Sequence, residues 1–221
     1  MGDTGTPENI AKTRGLAALA RSLGRIPIWL VLAAGLALTI ILPALGLVNA
    51  YIQQVFMYIG INIILTAGLN LINGYMGEFS VGHAAFMAIG AYVSSMLSVW
   101  VVPQAYGGIA FPFLLIAGGI AAAIAGFAVA VPSFRTRGDY LAIVTLAFNM
   151  IVKSALENID AVGGPRGFLG IGKLSSMAWV YVWVVISIYC IRNVVYSNFG
   201  RGVLSIREDE IAAELVTVDT R

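Results

Sequence analysis

An all-α, polytopic membrane-spanning helix bundle is the fold class this sequence predicts, and three observations predict it. No Asp, Glu, Lys or Arg stands between Arg25 and Glu78, or again between Glu78 and Arg135, and each gap is over fifty residues long. At about 1.5 Å of rise per helical residue, each gap is long enough to cross a roughly 30 Å hydrocarbon layer twice. The chain is 59% hydrophobic and 11% charged, with a mean hydropathy of +0.89, whereas a soluble domain carries about 25% charge. Loop signals rich in Gly, Pro and charge then divide the apolar sequence into about six spans. One break is a broken or re-entrant Gly-rich segment, and an amphipathic, charged segment closes the chain.

Residues 1–25 read as a polar cytoplasmic tail with a basic end at Arg21 and Arg25. They contain no apolar core of the kind a secretory signal has. The membrane domain is expected over 26–196. Its spans are expected at about 28–48, with Pro43 loosening one end, and then at 52–72, 83–101, 110–131, 140–158 and 177–195. Between the second and third lies Asn73-Gly-Tyr-Met-Gly-Glu-Phe-Ser-Val-Gly82, where three glycines and a carboxylate in ten residues disfavour continuous helix. Arg135, Arg137 and Asp139 mark a short charged loop, and Gly163–Gly172 a glycine-rich one. Residues 197–221 form a soluble-type segment. The positive-inside rule favours a cytoplasmic N-terminus: six spans place Arg135, Arg137, Arg201 and Arg207 on its side of the membrane.

Gly118, Ala122, Gly126 and Ala130 recur every fourth residue of the fourth span, a small-residue face suited to close helix packing where lipid gives no hydrophobic drive. Gly167-Phe-Leu-Gly-Ile-Gly-Lys173 nearly matches a phosphate-binding loop. Leu174 stands where a Ser or Thr should hold magnesium, and no strand precedes the loop, so the reading is a plain glycine-rich loop. His83 is the sole histidine and Cys190 the sole cysteine. Neither a nucleophile–histidine catalytic set nor a metal site can be built, no disulfide framework exists within the chain, and the chain is expected to be no enzyme and to carry no cofactor. A net charge of +2 gives no reason to expect nucleic acid. Glu78, the one carboxylate between Arg25 and Asp139, is either an interfacial residue or an intramembrane ionisable group, which is a functional candidate by default.

The closing segment carries good helix formers from about Val203. Ile211 and Leu215 stand one turn apart among Glu208, Asp209, Glu210 and Glu214. It reads as a short amphipathic cytoplasmic helix behind a glycine hinge, with an apolar edge for a partner.

Three stretches carry a resemblance: Leu69–Tyr92; Arg135–Phe148 with Gly163-Gly-Pro-Arg-Gly167 and Gly170-Ile171; and Phe199-Gly-Arg-Gly202 with Ile206–Glu214. The chain resembles the permease subunits of branched-chain amino acid ABC importers, and within them the larger-loop member of the usual pair. The resemblance implies a multi-pass subunit of a bacterial-type inner membrane. It would work with ABC ATPase subunits, a second homologous permease and an extracytoplasmic substrate-binding protein. It implies that Asn70, Gly74, Gly77, Glu78, Ser80, Gly82 and His83 line or gate the translocation path. It further implies that Phe199, Gly200, Arg201, Ile206, Arg207, Glu208, Glu210, Ile211, Ala212, Ala213, Glu214 and Leu215 engage the ATPase. Family members continue past this helix with further spans, so a C-terminally truncated chain or a fragment is expected. Urea and short-amide importers share these motifs and are the nearest alternative. An ion-coupled secondary transporter is the alternative from another class, although the spans hold almost no carboxylates for coupling.

Overall fold

The computed structural model describes residues 27–102, 107–133 and 140–208, and these are helical with short connections. The helices are α1 (Ile28–Ala44), α2 (Ala50–Asn70), α3 (His83–Trp100), α4 (Gly107–Ser133), α5 (Tyr140–Asn158), α6 (Met177–Tyr196) and α7 (Asn198–Glu208). A π-helical turn, Leu71–Met76, extends α2, and two 3-10 turns, Asp160–Val162 and Gly164–Arg166, follow α5. Five helices are long and apolar enough to cross a membrane: Ala50–Met76, His83–Trp100, Gly108–Val131, Leu141–Asn158 and Met177–Tyr196. The 17-residue α1 is apolar but shorter.

The chain divides into two units at Val55. In the first, α1 carries Pro43 in its last turn and stops at Ala44, and Gly46 then takes a left-handed φ of +68°. Pro43 has no N–H to donate to the carbonyl one turn back and its ring crowds the preceding turn, so it weakens the last turn, and the helix stops one residue later. Gln53 donates from Nε2 to the Val48 carbonyl at 3.0 Å and ties down the turn into α2.

In the second unit, α4 has two unlike faces. Along one, Ile116, Ile120, Ile124 and Phe127 are exposed, Phe127 by 73%. Such a stripe would be an aggregation liability in water, whereas lipid tails solvate it at no cost. Along the other, Gly118 packs so closely on α3 that an added Cβ would strike the Gly90 carbonyl oxygen. A Cβ on Gly90 would in turn meet the Gly118 oxygen at 3.3 Å, and one on Gly126 would touch the Phe86 ring. The small residues are thus the means by which α3 and α4 approach at backbone distance. A similar approach joins α2 to α6, where a Cβ on Gly60 would lie 2.5 Å from Val180 Cγ1.

Two connections differ from the sequence expectation. α2 does not end near Ile72 but continues as a π-turn to Met76, so the Gly-rich segment breaks at Gly77 rather than Asn73. The wider i→i+5 winding absorbs the local irregularity, and Gly74 has no Cβ to collide with Asn70 Oδ1. At the other end, Gly200 and Gly202 do not form a hinge before a helix at Val203; both lie inside α7, which starts at Asn198.

Candidate functional site

The residues singled out between Asn70 and His83 meet α7 at the end of α2. A helix leaves its last carbonyls without intrahelical donors. Here the Ile72 carbonyl accepts from the amides of Gly77 and, at 3.3 Å, of Glu78. The Gly74 carbonyl accepts instead from Arg207 Nη1 at 2.6 Å, across 133 residues of sequence. A cation at a helix C-terminus also meets the negative end of the backbone dipole. Gly77 makes the turn out of the helix in the left-handed region, φ +76°, with the Arg207 side chain pressed on it. An added Cβ would lie 2.5 Å from Arg207 Cγ. Glycine is required there twice over, by conformation and by space. Arg207 also pairs with Glu208.

The position of Arg207 is set by how α7 leaves α6. Ser197 caps α7: its Oγ accepts from the Gly200 amide at 3.1 Å and donates to the Val194 carbonyl at 2.6 Å. A serine cap of this kind contributes about 1 kcal/mol. Gly200 is buried where a Cβ would run into the Val194 and Val195 carbonyls. Cap and glycine together fix the turn between the two helices, so α7 reaches the π-turn as a braced arm. Phe199 is 75% exposed, Arg201 is exposed and Ile206 is half-buried. Glu210, Ile211, Ala212, Ala213, Glu214 and Leu215 lie outside the described residues.

From Gly77 to Gly82 the backbone is held by side chains of other elements. The Ser80 amide donates to Asn73 Oδ1 at 3.2 Å, and the Val81 amide donates to Thr145 Oγ1 of α5 at 3.1 Å. Gly82 lies on the same threonine, and a Cβ there would be 3.0 Å from the Thr145 carbonyl oxygen. Ser80 and Thr145 are both buried. Irregular backbone of this kind persists at membrane depth only where protein or a cavity satisfies it. Glu78 is half-buried and Phe79 is 64% exposed. His83 opens α3 and lays its ring on Gly68 of α2, whose missing Cβ would otherwise be 3.1 Å from Nε2. The ring hydrogen-bonds the Leu65 backbone. Its Nδ1 is buried and has no hydrogen-bond partner among the described residues.

The structure therefore gathers Gly74, Gly77 and Arg207 into one junction, and places Ser80, Gly82 and His83 beside it against α5 and α2. Two residues in this assembly make contacts that the sequence does not assign to them. Asn73 and Thr145 both bond the irregular backbone. Thr145 lay within a stretch of recognised resemblance, and a hydroxyl in an apolar helix was the available signal. Among the described residues no group of three His, Cys, Asp or Glu could hold a metal ion.

Residues 51–221 match the family model described as branched-chain amino acid transport system permease component. Two curated relatives are high-affinity branched-chain amino acid transport system permease proteins LivM. The Escherichia coli protein is 33% identical over 73% of this chain and 45% of its own length. The Salmonella typhimurium protein is 33% identical over 69% of this chain and 43% of its own. The chain thus spans about half the length of the curated relatives it matches. No solved structure matches it.

Proposed function

Because the chain belongs to the family of branched-chain amino acid transport permease components, we propose that it serves as a membrane-spanning subunit of an ABC importer for such amino acids. It provides part of the translocation path and couples that path to ATP hydrolysis on a partner chain. The observation that carries the coupling role is the Arg207–Gly74 hydrogen bond. It ties the arm α7 directly to the irregular backbone at the end of a membrane helix. Motion of α7 against a partner pulls on the π-turn through that bond, and the Ser197 cap and buried Gly200 keep the arm from absorbing the motion. In this reading the N-terminus and α7 are cytoplasmic. The segment from Arg207 through Leu215 contacts the ATPase, and Asn70–His83 borders the path. A second homologous permease and an extracytoplasmic binding protein complete the assembly.

Replacing Ile211 and Leu215 by Asp is expected to abolish co-purification of the ATPase while leaving membrane insertion intact; unchanged co-purification would remove this segment from the interface. In cells, uptake of labelled leucine should survive uncouplers and stop when the ATPase subunit is deleted. Uptake abolished by uncouplers alone would replace this reading with ion-coupled transport.

A further inference from the structure

The segment that leaves α2 is held from two different helices. The Gly77 and Glu78 amides donate to the Ile72 carbonyl, and the Ser80 amide donates to Asn73 Oδ1, so all three are fastened to the end of α2. The next amide, that of Val81, donates to Thr145 Oγ1 of α5. The handover between helices thus falls between two chain neighbours. Ser80 is buried, which limits how far its backbone can swing, and little slack separates the two holds.

The α2 side of the handover adjoins Arg207. The guanidinium bonds the carbonyl of Gly74, and Asn73, which holds Ser80, is the residue just before it. The α5 side is firm. Thr145 shares its hydroxyl proton between the carbonyls of Leu141 and Ala142 in its own helix, at 2.9 and 3.1 Å, and its lone pairs remain for Val81. Gly82 packs against the same residue. The hydrogen bond lets the segment pull on α5, and the Gly82 contact lets it push.

On α5 such a displacement has a use. Thr145, Asn149, Lys153 and Glu157 recur every fourth residue and form one polar stripe along an apolar helix. Asn149, Lys153 and Glu157 line the open groove between α3, α5 and the Gly164–Gly167 turn. Polar and ionisable side chains within a membrane helix are costly unless they serve a pathway. Thr145 heads the stripe, and from there to Glu157 the helix rises about 18 Å.

We propose that Asn73 and Thr145 are positioning residues that relay movement of α7 to α5. Arg207 displaces the π-turn, Asn73 carries Ser80 with it, and Val81 carries Thr145. The assignment rests on the importer reading above and deepens it, by naming α5 as the helix that the ATPase-driven arm moves. A relay in series makes a specific demand. Breaking either link interrupts the same route, so breaking both costs no more than breaking one.

The test uses the complete transporter in proteoliposomes with its binding protein and reads leucine uptake per ATP hydrolysed. Thr145→Val keeps the shape of the side chain and removes the acceptor; Asn73→Ala removes the other acceptor. Each should lower the ratio about fivefold, while ATPase stimulation by the loaded binding protein persists. Thr145→Ser, which keeps the hydroxyl, should hold the wild-type ratio. The double variant Asn73→Ala/Thr145→Val should fall no further than either single one. An unchanged ratio in both single variants would overturn the relay alone. So would uptake and hydrolysis that fall in proportion, the mark of a merely structural role, or a double variant lowered about twenty-five-fold, the product of two independent holds. Wild-type leucine uptake that proceeds without ATP would overturn the importer reading and the relay with it.

Discussion

Glycine builds both the α3–α4 crossing and the junction of α2 with α7, but in opposite ways. At the crossing, Gly90 and Gly118 keep helical backbone and simply omit a side chain, so that carbonyl oxygens of one helix face backbone of the other. Nothing there is strained, and regular hydrogen bonding continues past the contact. At the junction, Gly74 sits in a π-turn and Gly77 in a left-handed turn, and the carbonyl of Gly74 is satisfied by Arg207 rather than by the helix. The crossing is a fastening with one low-energy arrangement. The junction keeps its irregular backbone through a few identifiable bonds, each of which can be broken separately. An element that must move belongs to the second kind.

The largest expected effect is at the fastening. Gly118→Leu places side-chain atoms where Gly90 backbone already lies, and backbone cannot yield as a flexible side chain can. The substitution should cost about 3 kcal/mol and lower the melting temperature of the protein in nanodiscs by many degrees. An unchanged melting curve would mean that the crossing does not hold the bundle together.

Arg207→Ala should act differently, with little change in melting and a large local change. A hydrogen bond from a charged donor is worth about 1.5–3 kcal/mol, and with the side chain one-third exposed about 1 kcal/mol is the better figure. Amide exchange at Gly77 and Glu78, which donate to Ile72, should quicken several-fold by mass spectrometry, while exchange across α3 and α4 stays the same. Equal change in both regions would erase the distinction between fastening and junction.

How much of this was legible follows from the same contrast. The helices were readable because uncharged sequence between loop signals has one outcome in a bilayer, and Ile28, His83, Tyr140 and Met177 each open a helix where an apolar run begins. The packing face of α4 was readable because Gly118, Ala122 and Gly126 obey helical spacing. The junction was readable only as a suspicion. Gly74 and Gly77 promised a break, but the π-turn that carries the helix to Met76 has no periodicity of its own. Its partner Arg207 stands 133 residues away, beyond any local pattern. Gly200 misled for a related reason: glycine in a sequence signals either freedom or closeness. Its role as a spacer against Val194 and Val195 emerges only when α6 and α7 are seen together.

The smallest effect belongs to Gly119, and it makes the comparison sharper. Gly119 is the chain neighbour of Gly118, yet beyond the backbone of its own helix no described atom lies within 4 Å of a Cβ placed on it. Gly119→Ala should therefore leave the melting temperature of the isolated chain unchanged or slightly raised, since alanine favours helix by up to about 1 kcal/mol. A fall like that of Gly118→Leu would show that composition alone, and not the Gly90 contact, makes α4 sensitive.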